Sequence, residues 1–157
     1  MSRSTQRIVL ACLLLLCLCA GSTASHAGML GGFEPGIRLG SYTDNSDFFV
    51  GVDGKFNLLG LNVDPSVEYV FVDNATLMTF NLDGFVDLIH LPVISGWLGG
   101  GVGLMYFDTD QSDSTTDPVV NVVAGVAVNV LFNPYVMAKW IFADNNDGFV
   151  ICAGVHF

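Results

Sequence analysis

The sequence predicts an all-β chain: an eight-stranded antiparallel up-and-down transmembrane β-barrel preceded by a cleavable signal peptide. Three observations carry this. The 157 residues are 52% hydrophobic and only 13% charged, where soluble domains carry roughly a quarter of their residues as charges. Apolar residues alternate with small or polar ones over segments of nine to eleven residues. The connections between those segments collect the aspartates at one end only. Lys and Arg number five against fifteen acids, a net charge of −10, so nucleic acid and other polyanions are repelled.

The first segment reads as an export signal. Arg3 and Arg7 precede an unbroken apolar run over 8–19, and small residues lead to Ser25, His26 and Ala27. Such a run is too short for a bilayer span but suits a signal-peptide core. Cleavage is expected after Ala27, with Ala24 also qualifying. Cys17 and Cys19 follow bulky Leu16 and Leu18, which argues against lipid attachment. The division is therefore 1–27 signal peptide and 28–157 a single barrel domain. That domain retains only Arg38, Lys55 and Lys139 as cations, and only Cys152 as a thiol, so it has no internal disulfide.

Two stretches, 88–107 and 118–138, lack Asp, Glu, Lys and Arg and match a membrane helix in length. Pro92 with Gly99, Gly100, Gly101 and Gly103 in the first, and the many Val with Asn133 and Pro134 in the second, favour strands. Period two recurs throughout. Ile37 and Leu39 flank Arg38. Val50, Val52, Phe56 and Leu58 alternate with Gly51, Asp53, Lys55 and Asn57. Val67, Tyr69 and Phe71 oppose Glu68 and Val70. Met78, Phe80, Leu82, Val86 and Leu88 oppose Thr79, Asn81, Asp83 and Asp87. The even positions of 120–130 are Val or Ala, and the odd ones include Asn121, Gly125 and Asn129. Val136, Ala138, Trp140 and Phe142 oppose Lys139, and Phe149, Ile151, Ala153, Val155 and Phe157 oppose Cys152, Gly154 and His156. With the Gly-rich stretch, the strands fall at 33–43, 48–58, 63–73, 76–88, 95–107, 118–132, 135–143 and 148–157.

A soluble sandwich turns its apolar face inward and keeps charges outside. Here the alternate positions are Gly, Ala and Asn, so the continuous apolar face is assigned to lipid and the small, polar face to the inside of a closed barrel. Connections at 43–47, 73–75, 107–117 and 143–147 hold Asp44, Asp47, Asp73, Asp108, Asp110, Asp113, Asp117, Asp144 and Asp147, nine of the fifteen acids. The alternate connections, at 59–62, 89–94 and 133–134, hold none. A charge facing lipid at mid-membrane costs about 2–4 kcal/mol. Glu34, Arg38, Asp53, Lys55, Glu68, Asp83, Asp87 and Lys139 all lie on the polar face, so these eight are expected to form a lumen charge network, with Glu34 and Asp87 nearest to water.

At this point the chain resembles the small bacterial outer-membrane β-barrels, the eight-stranded OmpA/OmpX-type or porin-like family. The resemblance covers 28–157 and rests on architecture. Its most specific element is the last strand, in which Phe149, Ile151, Ala153, Val155 and Phe157 resemble the signal read by the outer-membrane assembly machinery. Asn133, Pro134 and Tyr135 resemble a tight periplasmic turn with an interfacial aromatic. The resemblance implies a bacterial outer-membrane location, outer-membrane lipids and the assembly machinery as partners, a monomer and no cofactor. Only 107–117 is an appreciable loop, which departs from the family's long surface loops. Tyr42, Phe48, Phe71, Tyr106 and Phe149 are expected near the outer interface; Phe33, Phe132, Tyr135 and Phe157 near the periplasmic one.

The residues offer little chemistry. There is no His/Cys metal cluster, GxSxG or phosphate loop. His90 and His156 lack a Ser partner at a spacing that suggests a shared site, and read as interfacial structural residues. The best ligand-like cluster is Asp108, Asp110, Asp113 and Asp117, whose carboxylates suit Ca²⁺ or Mg²⁺ bridging to anionic lipopolysaccharide; it lacks the Gly and closing Glu of an EF-hand, and its plain reading is a solvated loop. An eight-stranded barrel is filled by side chains, so the expected role is structural or surface-interacting, with at most a narrow polar lumen. A small channel, a lipid-modifying enzyme and a soluble ligand-binding barrel are the alternatives.

Overall fold

The computed structural model describes residues 32–72, 75–109, 112–143 and 147–157; the signal-peptide expectation lies outside them. Eight antiparallel strands follow in chain order: β1 (Phe33–Tyr42), β2 (Asp47–Leu58), β3 (Leu61–Val72), β4 (Ala75–His90), β5 (Ile94–Thr109), β6 (Ser112–Val128), β7 (Pro134–Ala143) and β8 (Gly148–His156). Each pairs with its neighbours in sequence, and β8 closes on β1 with His156 opposite Gly36 and Val150 opposite Tyr42. Closure leaves no sheet edge along the wall, as a bilayer requires.

The period-two pattern becomes two faces. Outside, Ile37, Leu39, Val50, Leu82, Val102, Val120, Val126, Val136 and Ile151 are each about half exposed. Inside, Arg38, Glu68, Asp83, Asn121 and Lys139 are almost fully buried. This is the reverse of a soluble sandwich, and it is the arrangement a hydrocarbon solvent selects.

The two ends differ. At the proximal end, where β1 begins and β8 finishes, the turns are apolar. Leu59 (φ 54°) and Gly60 (φ 92°) both adopt positive φ, as a two-residue hairpin turn of the primed type requires, and the Gly60 N–H donates to Asn57 Oδ1 at 3.3 Å. Leu59 and Leu131 are 91% and 84% exposed. At the distal end Asp44, Asp108, Asp117 and Asp147 are exposed.

One expected boundary is corrected. The segment 107–117 is not a loop: β5 continues to Thr109 and β6 starts at Ser112, with Thr109 opposite Ser112. The last β6–β7 pair is Val119 with Ala143, so Ser112–Pro118 projects beyond β7 as an extension of the β4–β5–β6 sheet. No apolar alternation marks this extension, in which residues 114–118 are exposed on both faces, but Thr109, Thr115 and Thr116 suit strands.

Candidate functional site: a cup-shaped lumen

The interior is layered from end to end. Its distal half is apolar: Tyr42, Phe49, Val70, Val119, Val123, Ile141 and Val150 are buried together, with Leu77 and Met105 packed against them. Phe49 and Tyr42 meet edge to face, ring centroids 5.9 Å apart. These positions are inward on their strands, so the cap follows directly from the alternation. Tyr42 is thus a correction, since it seals the lumen instead of sitting at the outer interface.

Below the cap lies an ionic layer. Arg38 reaches Glu68 Oε1 at 3.1 Å and Asp64 Oδ2 at 3.8 Å. Lys139 reaches Asp83 Oδ2 at 3.0 Å and Glu68 Oε1 at 3.6 Å. Glu68 therefore stands between both cations, and the Thr79 hydroxyl donates to its Oε2 at 2.7 Å. Asn121 Nδ2 donates to Asp83 Oδ1 at 3.1 Å and to Asn81 Oδ1 at 3.0 Å, and Asn81 donates to Thr79. Five strands, β1, β3, β4, β6 and β7, are tied across the lumen in this way. Such a layer holds because nearly every carboxylate faces a cation or an N–H donor in a medium that supplies no water.

Glycines make room for it. A Cβ on Gly101 would run into Asp83, one on Gly103 into Asn81, and one on Gly99 into Phe85. On β6, Gly125 seats the Trp97 indole in the same manner. The Gly-rich inner face of β5 thus holds side chains from β4 and leaves no channel there.

Proximal to this layer, Asp53, His156 and Tyr135 form a second group. His156 Nε2 is 2.7 Å from Asp53 Oδ2, and the Tyr135 hydroxyl donates to the same oxygen at 2.9 Å. Gly36 pairs with both Asp53 and His156, and its missing side chain is what lets them meet. Tyr135 and His156 are buried in the lumen, 4% and 5% exposed, so the expectation of an interfacial Tyr135 and an interfacial His156 is corrected. Both lie on the inward register of β7 and β8; being near a strand end did not place them in the membrane interface.

The lumen opens at the proximal end into a cavity of about 220 Å³, lined by Glu34, Lys55, Asp64, Asp87, Trp97 and His156 among others. At its mouth Lys55 pairs with Glu34 at 2.7 Å, both partly exposed, and Asp87 Oδ2 accepts from Asn62. The eight charged residues on the polar face are therefore divided: Arg38, Glu68, Asp83 and Lys139 in the ionic layer, Asp53 with His156, Glu34 with Lys55, and Asp87 at the rim. Asp64, absent from the sequence-derived set, is 4% exposed and joins the ionic layer to the cavity. The β2–β3 pairing skips from Asp53–Ser66 to Phe56–Val63 beside it, because Pro65 has no N–H to give. In sequence Pro65 keeps the outward apolar row of Leu61, Val63 and Val67, so Asp64 shares the inward parity of Asn62, Ser66 and Glu68.

The distal carboxylates are not gathered into a site among the described residues. Asp108 stands opposite Thr76 and Asp117 opposite Met105; Asp110 and the side chain of Asp113 lie outside the described residues. Phe149, Ile151, Ala153, Val155 and Phe157 occupy alternate positions of β8 and just beyond it, and Phe157 N–H donates to the Pro35 carbonyl at 2.9 Å.

The closed eight-stranded topology matches known architectures. The N-terminal β-barrel domain of Pseudomonas aeruginosa OprF superposes with a TM-score of 0.66 at 12% identity, covering 82% of this chain and 99% of that one. The fold is that of a small outer-membrane β-barrel. Neisserial surface protein A gives a TM-score of 0.62 at 12% identity, covering 84% and 98%. A de novo designed transmembrane β-barrel gives 0.54 at 18% identity, covering 81% and 96%. No family profile and no curated protein matches the sequence. At such identities the likeness concerns the barrel wall, and the lumen residues must be read on their own terms.

Proposed function

We infer that the chain is an integral protein of the bacterial outer membrane, exported by the signal at 1–27, with a structural or surface-interaction role and no catalytic one. The observation that carries this reading is the sealed lumen: Phe49, Val70, Val123 and Val150, each at most 1% exposed, lie across the distal half and leave no through-path. The exposed Asp44, Asp108, Asp117 and Asp147 argue for a distal rim facing the aqueous exterior, and the uncharged turns at Leu59 and Leu131 for the periplasmic side. The projecting β5–β6 hairpin is then the part available to a surface partner. Lipids surround a monomer, and the alternating last strand is offered to the assembly machinery.

The test is cell fractionation with gel mobility before and after boiling, followed by planar-bilayer recording. The protein should pellet with outer membranes, shift on boiling and give no channel events. Recovery in the periplasm with unchanged mobility would refute the membrane assignment, and stepwise conductance would refute the sealed lumen.

A further inference from the structure

The buried charges do not balance. Among the described residues, four buried carboxylates, Asp53, Asp64, Glu68 and Asp83, face two buried cations, Arg38 and Lys139. Glu68 and Asp83 are taken up by those cations, with one contact from Arg38 left for Asp64 at the longer distance of 3.8 Å. With all four ionised, a surplus of two negative charges falls on Asp53 and Asp64, and Asp64 lines the cavity together with His156. Both Asp53 Oδ1 and Asp64 Oδ1 are buried without a hydrogen-bond partner, a cost that proteins rarely leave unmet.

We propose that Asp53, Asp64 and His156 bind one divalent metal ion of the zinc class. One ligand atom from each lies within 4.8 Å of the others, so the three can converge on a common centre once the ion displaces the direct His156–Asp53 contact. Bonds of about 2.0–2.2 Å to imidazole nitrogen and carboxylate oxygen would hold the ion. One nitrogen and two oxygens, with few ligands, suit Zn²⁺ or a neighbouring transition metal, whereas Ca²⁺ and Mg²⁺ demand more oxygens. The dication cancels the two surplus charges. The Tyr135 hydroxyl already donates to Asp53 Oδ2 at 2.9 Å, the kind of outer support that metal ligands usually have. Asp64 and His156 both line the cavity, which gives an ion a way in past Glu34, Lys55 and Asp87. This site stands whatever role the barrel plays in the membrane.

The test is calorimetric titration of chelator-treated, detergent-folded barrel with ZnCl₂, paired with Co²⁺ absorption. One Zn²⁺ should bind per barrel, with affinity at least tenfold lower in Asp64→Asn and in His156→Gln, unchanged in Asp117→Asn on the distal rim, and unaffected by excess Mg²⁺. Gel mobility before boiling reports whether each variant is folded. If neither lumen variant folds, the wild-type Co²⁺ spectrum decides: an intense band of low coordination number supports the site, and a weak octahedral one overturns it. No uptake, or uptake that survives both folded variants, also overturns it.

Discussion

Tyr135 lies nearly flat on His156, ring centroids 4.7 Å apart and planes 19° from parallel, while its hydroxyl donates to Asp53. One side chain from β7 thus covers the imidazole and holds the carboxylate that the imidazole touches. Tyr135→Phe keeps the stack and removes one hydrogen bond to a charged acceptor, so it should cost about 1.5–3 kcal/mol. Urea unfolding from lipid vesicles measures this. A neutral Tyr135→Phe would mean that the hydroxyl has water instead, as an interfacial tyrosine would.

Glu68 should be the least replaceable acid in the barrel. Removing it by Glu68→Ala takes away the carboxylate shared by both buried cations and leaves Arg38 only its longer contact to Asp64, a loss of about 3–5 kcal/mol. Glu34→Ala breaks only the partly exposed pair with Lys55 and should cost no more than about 1 kcal/mol. Unfolding midpoints of the two variants side by side provide the check, and equal effects would contradict the layered lumen.

The outer wall predicts a dependence on depth. Leu82 is 50% exposed in mid-strand, so Leu82→Arg in a bilayer should cost about 2–4 kcal/mol, while Leu59→Arg at the proximal turn should cost about 0–1. In a water-soluble barrel both substitutions would be harmless. Folding yields into vesicles distinguish the two cases.

The glycines offer a pair of neighbours with opposite outcomes. Gly101→Ala drives a methyl group into Asp83 and the Leu82 carbonyl; backbone cannot yield, and the cost should be about 1–3 kcal/mol. At Gly84 the nearest atom to an added Cβ is 3.8 Å away, and Gly84→Ala should lie within about 0.5 kcal/mol of wild type. If the two variants unfold together, the inward and outward faces of this wall have been misassigned.

Much of the fold was legible because a bilayer leaves a chain few choices. Alternation from Val50 to Leu58 or from Phe149 to Phe157 reports directly which residues meet lipid, and closure then follows from the need to pair every backbone group. Extent was legible only where lipid imposed the pattern, which is why the extension at Ser112–Pro118 read as a loop. Inward charge was also visible at Arg38, Glu68 and Lys139, since each stands between two apolar neighbours of opposite parity. The partners of those charges were not. Whether Glu68 meets Arg38, Lys139 or both depends on stagger between strands, and no single strand records stagger. Asp64 has the same inward parity as Glu68 and was as legible as Glu68, whereas Tyr135 and His156 were obscured by their nearness to strand ends, where aromatic and polar residues are common on either face. The inward parity of both was already present in the sequence, and it was the better guide.

The apolar cap at Phe49 and Val150 gives the lumen sidedness. A cup that is open only proximally samples one compartment, so its floor shares the solutes of that compartment and is blind to those on the other side of the membrane. An impermeant reagent added at the distal face would find every carboxylate of the ionic layer out of reach, and the same reagent at the proximal face would pass Glu34 and Asp87 at the mouth and meet Asp64 before Glu68 or Asp83. The barrel crosses the membrane as a body, yet its interior belongs to one side.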